Sequence, residues 1–447
     1  MAYSNTSDNQ VNAATMDLEA AEPAFSRPIM MAWLLGLVIM YPVKIFHFPL
    51  NLELVDFWIL MGLPLLWLSF LRSRQTKISL PYAIALLLIL VGSFASTFTA
   101  VTPSRSIIVI LKEVYLFIWF VTATALFAGL DEKSMRRVMS VWAGTVILHG
   151  LFIIVQFLFP KIWHLTTGFA GQATAYAEYR PSGLFISEKA GDANKAAFFQ
   201  LLGFVPLVLA RPPKRIAIVL GIMLFASILA TGSMGTTISF TTGLIATLIL
   251  ISLLAKNWSV IIRYFVKAVI AISLFAAIFT LILSQNDEYK AHFEKIITGR
   301  AEKSSGGRFG LWKRGIDVFE KHNVLLWGVG PENFREVDAA QSDNQLHNDF
   351  LAFTVERGLI GISGLLLFAF VTIGRAAYLL MMHIKYPEQV GLIVVVFPGI
   401  VAAMMLVSLT HQVFHARELW LLLALQESTV FRVRESILSS YVKLIQG

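Results

Sequence analysis

Runs of about twenty apolar residues, separated by polar connectors, recur along most of this chain and constrain its fold more than any other feature. The hydrocarbon core of a bilayer is about 30 Å thick, and a helix rising 1.5 Å per residue needs roughly 20 residues to cross it. Runs of that kind lie at 29–47, 54–71, 80–100, 106–129, 138–159, 192–210, 216–231, 236–255, 264–284, 358–382, 390–410 and 417–431. Inside hydrocarbon no water satisfies a peptide group, so a spanning segment must bond its own backbone, as a helix does. The pattern predicts an all-α, polytopic integral membrane protein with about twelve transmembrane helices. Composition closes the soluble alternative: 14% of residues are charged, against about 25% in soluble domains. There is no cysteine, which rules out disulfides and thiolate-bound metals.

The formal net charge of +8 is not a nucleic-acid signal, because of where the charge sits. "RSRQTK" at 72, "DEKSMRR" at 131, "RPPKR" at 211, "KNWSVIIR" at 256 and "RVR" at 432 alternate with connectors nearly free of Lys and Arg. The positive-inside rule assigns the basic set to the cytoplasm. Residues 1–27 then form a cytoplasmic tail, polar and mildly acidic, without the basic and apolar regions of a cleavable signal peptide. Spans one to nine occupy 28–284, an extracytoplasmic loop 285–357, spans ten to twelve 358–431, and a second cytoplasmic tail 432–447. The connector at 161–190 also faces outside. No internal repeat points to an inverted-repeat transporter.

The 285–357 loop reads as folded. In "FGLWKRGIDVFEKHNVLLWGVG", Phe309, Trp312, Ile316, Val318 and Phe319 follow helical spacing, and the glycines then stop the helix. A short amphipathic helix on the membrane surface is expected there.

The polar residues that call for explanation lie at the outer lip. Arg180 is held between turn residues in "EYRPSGLF"; it can grip a phosphate bidentately, or pair with lipid headgroups or Glu178. Asn194 lies just inside the following span. Arg308 opens the amphipathic helix, with Lys313 and Arg314 behind it. Such a basic helix suits a lipid-linked anion and equally suits ordinary anionic lipid. His347 and Asn348 precede an apolar helix at headgroup depth; an imidazole there can accept a hydroxyl proton, donate to phosphate, or serve only as a structural hydrogen-bonder. His322 in "EKHN" is a second candidate. Asp349 and Glu356 are competing bases. Arg105 and the Lys112–Glu113 pair flank the start of the fourth span, where ionisable groups are functional candidates unless they neutralise each other. The histidines lack HxxxH spacing and no dense carboxylate cluster accompanies them, so no metal and no cofactor is expected.

Three stretches taken in order resemble the O-antigen ligase and O-antigen polymerase superfamily of bacterial envelope glycosyltransferases. They are "RPSGLFISEKAGDANKAAFF", "TGSMG" opening a span, and "GGRFGLWKRGIDVFEKHNVLLWGVGPENF" followed by "LHNDFLAFTVERGLIGISG". The resemblance implies glycan transfer from an undecaprenyl-pyrophosphate carrier to lipid A-core or another glycan, without a metal, on the periplasmic side of the inner membrane. By resemblance Arg180 and Arg308 match arginines that hold the pyrophosphate, and His347 matches a catalytic loop histidine. Where the family often reads Ser-Arg-Gly this chain has Ser233-Met234-Gly235, which leaves Arg105 or Lys112 to supply that charge. Ligase and polymerase share the donor and are not separable from these residues. A transporter would carry charges near the centres of several spans, whereas this sequence keeps nearly all of them at one lip and in connectors.

Overall fold

The structure is a computed structural model that describes residues 27–40, 54–73, 79–159, 182–183, 193–254, 266, 308–321, 325–338, 345–388 and 390–446. Arg180, His322 and most of the run at 264–284 lie outside the described residues.

Apart from 264–284, every apolar run coincides with a helix. The helices are α1 Arg27–Met40, α2 Leu54–Ser73, α3 Leu80–Thr97, α4 Pro103–Gly129, α5 Glu132–Leu158, α6 Ala193–Leu202, α7 Phe204–Ala210, α8 Lys214–Ala230 and α9 Met234–Leu254. Next come α10, residues 308–321, and α11 Phe334–Val337, α12 Asp349–Lys385, α13 Val396–Ser408 and α14 Arg417–Gln446. Among the described residues there is no strand. Among the described residues, six helical stretches are long and apolar enough to cross a membrane: α3, α4, α5, α6 with α7, α9 and α12. Shorter apolar helices include Met31–Met40, Val55–Pro64 and Val396–Ser408.

Glycine brings the central helices together. An added Cβ at Gly92 of α3 would lie 2.5 Å from the Gly361 nitrogen of α12, and one at Gly364 would lie 2.7 Å from the Ile89 nitrogen. A side chain at either position would therefore drive the α3 and α12 backbones apart. Such close backbone approach substitutes for a hydrophobic driving force where the solvent is itself apolar. The same device joins α9 to α13 at Gly243 and Gly399. Helix α14 packs along α4.

The basic connectors at 131, 211 and 432 share one end of the bundle. Arg136 donates to the Ala210 and Arg211 carbonyls, Arg211 pairs with Glu132 at 3.0 Å, and Arg432 donates to the Leu130 carbonyl. The residues before α4, the start of α12 and the connector between α13 and α14 gather at the other end.

Outside the bundle, α10 has its own small core. Leu311 and Val318 bury themselves against Val329, Phe334, Leu346, Ala352 and Val355. Phe309 and Ile316 stay 65% and 48% exposed, so the helix is amphipathic, as its spacing predicts, with a packed face and a second apolar face left open.

Candidate active site

The centre of the site is a break in α12. Gly358 has φ 62° and ψ −163°, a conformation open essentially to glycine alone. The break frees peptide groups, and the strand-like passage at 325–330 satisfies them. Val329 and Gly330 donate to the Val355 and Glu356 carbonyls at 3.0 and 2.9 Å, and Leu359 donates to the Leu325 carbonyl at 2.8 Å. Gly328, at φ 76°, permits the approach, since a Cβ there would lie 2.3 Å from the Glu356 carbonyl carbon. Irregular backbone at membrane depth is tolerated when protein supplies its hydrogen bonds in this way.

Gly358→Ala should therefore cost more than the strain alone, about 1–3 kcal/mol, because its Cβ would also meet the Leu326 oxygen at 2.3 Å. Gly374→Ala, which meets nothing within 4 Å, is the control. The expected result in detergent melting is a clear loss for the first and none for the second. Equal melting temperatures would refute the strained junction.

The break exposes one polar pocket, lined by Glu332, Arg335, Gln345, Asp349, Glu356, Arg357, Gln412 and His415, among others. Its free volume is about 20 Å³, room for one water-sized group. Arg357 forms its wall and is almost fully buried. Its guanidinium donates to Ser93 Oγ at 2.9 Å, to Glu113 at 2.7 Å and to Glu356 at 3.3 Å, and its Cζ lies 4.0 Å from the Phe353 ring centre. His415 Nε2 lies 3.1 Å from the same Glu113 oxygen. Asp349 accepts the backbone N–H groups of Val413 and Phe414, at 2.9 and 3.2 Å, and so fixes the connector that carries His415. Nearby, Arg417 and Tyr115 both bond Asp56. Burial holds the His415 imidazole below its ordinary pKa; Lys112 and Arg357 push the same way and Glu113 opposes them.

Of the candidates named from sequence, this pocket brings together Asp349 and Glu356. Asn348 is the N-cap of α12, accepting the Leu351 N–H at 3.0 Å. His347, half-buried, holds φ 49°, a left-handed conformation that a β-carbon disfavours. The Trp312 indole donates to the Leu346 carbonyl at 3.1 Å. Arg308 lies one turn before Trp312 on the same face of α10. Arg105 pairs with Glu336, and Arg314 with buried Asp338 at 3.3 Å; both tie the 333–338 segment in place. Asn333 latches the same segment to α4, accepting the Thr102 N–H at 2.7 Å and donating to Ser106. Half-buried Lys112 contributes positive charge beside His415. Half-buried Asn194 starts α6. Next to Arg180, Ser182 and Gly183 are pinned by the Gln156 side chain of α5. Met234 is 48% exposed and opens α9.

Arg357, Ser93 and His415 have no counterpart among the sequence candidates, and Glu113 bonds to Arg357 and His415 across the fold. Adjacent residues on a helix point apart, a signal available from sequence. The expectation of charge at one lip also needs correction. Arg375 and buried Glu427 pair at 2.9 Å toward the opposite end of the bundle, beside Tyr82 and Thr372. Among the described residues, no three His, Cys, Asp or Glu side chains converge as a metal site.

Residues 216–369 match the family model described as O-antigen ligase. That segment is similar to the O-antigen ligase family. The match supports the O-antigen ligase and polymerase superfamily, and with it an envelope glycosyltransferase-type enzyme. It includes α8, α9, α10, the passage at 325–330 and the broken part of α12, so most of the pocket is built from the O-antigen ligase segment. Ser93, Glu113 and His415 lie outside it. No curated protein matches the chain.

Proposed function

We propose that this protein transfers a glycan from undecaprenyl pyrophosphate to an acceptor, O-antigen to lipid A-core, on the periplasmic face of the bacterial inner membrane. The observation that carries the reading is the polar pocket at the broken helix, at the end of the bundle away from the basic connectors. The acceptor hydroxyl attacks the sugar C1, and the C1–oxygen bond to the pyrophosphate breaks. The electron pair leaves with the pyrophosphate, whose charge guanidiniums stabilise without a metal.

The pocket holds Glu332, Asp349 and Glu356 against Arg335 and Arg357, with Glu113 behind. That set offers a hydroxyl several hydrogen-bonding carboxyl groups and offers a pyrophosphate no excess of positive charge. The pyrophosphate belongs outside it, held by the arginines that the family resemblance assigns to it, Arg308 and Arg180. His347 then takes the acceptor proton or hydrogen-bonds the leaving phosphate. On the outer face of α3, an apolar groove of about 570 Å³ between Phe94, Phe98 and Trp327 offers a polyprenyl tail a wall at the level of Ser93.

A polymerase would use the same donor with a second carrier-linked chain as acceptor, so the test offers both acceptors. Purified protein given undecaprenyl-pyrophosphate glycan in excess chelator should extend lipid A-core. Transfer only to the second carrier would make it a polymerase, and a requirement for added magnesium would sink the metal-free scheme. Reporter fusions at Lys214 and Gln341 should report cytoplasm and periplasm; a cytoplasmic signal at Gln341 would overturn the orientation.

A further inference from the structure

We propose that His415, oriented by Glu113, takes the proton of the acceptor hydroxyl in the pocket at the start of α12. This rests on the glycosyl-transfer reading above and assigns a step it leaves open. An ionised carboxylate only accepts hydrogen bonds, so Glu113 Oε1, 3.1 Å away, selects the tautomer with hydrogen on Nε2. Nδ1 then carries the lone pair. A quarter of the His415 side chain is exposed, and it lines a niche the size of one hydroxyl.

The arrangement is unusually well held. Glu113 is locked by Arg357 and by Ser93 Oγ at 3.0 Å. The backbone before His415 is locked by Asp349, and the Phe414 carbonyl accepts from Trp420 at 2.7 Å. A base fixed from both sides keeps its geometry as the proton moves. Groups with charge around it are Glu113 and Lys112 on α4, Arg357, Glu356 and Asp349 on α12, and Glu332 and Arg335 on the loop. Burial lowers the imidazole's pKa and so favours the neutral form that accepts a proton, while Glu113 opposes that shift and stabilises the imidazolium once formed. The proton passes from hydroxyl to Nδ1, the oxygen bonds to C1, and the C1–O electron pair departs on the pyrophosphate. His347 is left to hydrogen-bond that leaving group. Glu113 is a positioning residue.

The experiment measures transfer by the full-length protein in bilayers, from about pH 5 to pH 8, for three variants. His415→Gln can still donate to Glu113 but takes no proton. It should melt like the wild type, lose turnover about 10²-fold or more with little change in the donor KM, and lose the acidic fall-off in rate. In the wild type that fall-off should lie below about pH 6.5, the ordinary histidine value. Glu113→Gln, which removes the anion that favours imidazolium, should move the fall-off to still lower pH. Near-wild-type turnover in His415→Gln, with Arg308→Ala impaired, overturns the assignment and leaves the transferase reading standing. So does a fall-off that persists in His415→Gln and vanishes in Glu356→Gln. If the wild type transfers no glycan, both readings fall together.

Discussion

Arg357→Ala should leave little folded protein. Removing one member of a buried ion pair costs about 3–5 kcal/mol, because the partner stays behind as an uncompensated charge. Here the stranded partner is Glu113, which would retain only Ser93 and His415. Total stabilities of about 5–15 kcal/mol leave small room for such a loss. Arg357→Lys should fall between, since an ammonium on a flexible stem cannot serve Ser93, Glu113 and Glu356 together. Replacing the pair as a whole, Arg357→Met with Glu113→Gln, should recover much of the stability without restoring transfer. The measurement is size-exclusion yield and thermal melting in detergent. A wild-type melting curve for Arg357→Ala would mean that the pair contributes nothing to the fold.

His347→Ala should lower transfer by about 10²–10³-fold, the effect of removing one donor to a charge that develops in the transition state, while donor binding changes much less. The residue holds a left-handed backbone at a junction where its neighbours are occupied: Leu346 accepts from Trp312, and Asn348 caps α12. A non-glycine residue in that conformation costs about 1–3 kcal/mol and persists where the surroundings over-determine it. His347→Gly relaxes the backbone and should therefore stabilise the protein slightly while remaining inactive, which separates strain from chemistry. Arg308→Ala should instead weaken donor binding about tenfold or more, the loss of one charge-assisted contact of about 1.5–3 kcal/mol. If His347→Ala transferred at the wild-type rate, the histidine would be a structural element of the junction. Normal donor binding by Arg308→Ala would return α10 to the role of an anionic-lipid contact.

The helices were legible because hydropathy over twenty residues is a local signal. Their sufficiency as spans was less so. Val396–Ser408 has 13 residues and Ala193–Ala210 is interrupted at Gly203, and an apolar count alone does not register either. Helix α14 runs to Gln446, beyond the apolar run; in its polar part Arg432 donates to the Leu130 carbonyl and Arg434 lies over the Tyr378 ring. Glu356 was visible from residue type and lies in the pocket. Arg357 was not, because its meaning depends on Ser93, Glu113 and a kink that Gly358 makes possible. Sequence spacing says nothing about residues 244 or 302 positions apart. Asn348 illustrates the converse: an Asn before a helix is a cap by propensity, and only the 3.0 Å bond to Leu351 identifies the service it performs.

The buried pairs also impose an order of events on manufacture. A chain inserted from its amino terminus delivers Asp56 and Glu113 to the bilayer long before Arg417 and Arg357 have been synthesised. An ionised carboxylate at the centre of a span disfavours insertion by up to about 3 kcal/mol, less near the lip. The early helices must therefore wait, partly solvated or held by insertion machinery, until the last third of the chain arrives to close them. Premature termination before residue 357 would strand two carboxylates at once, and quality control would meet the truncated chain as an orphan.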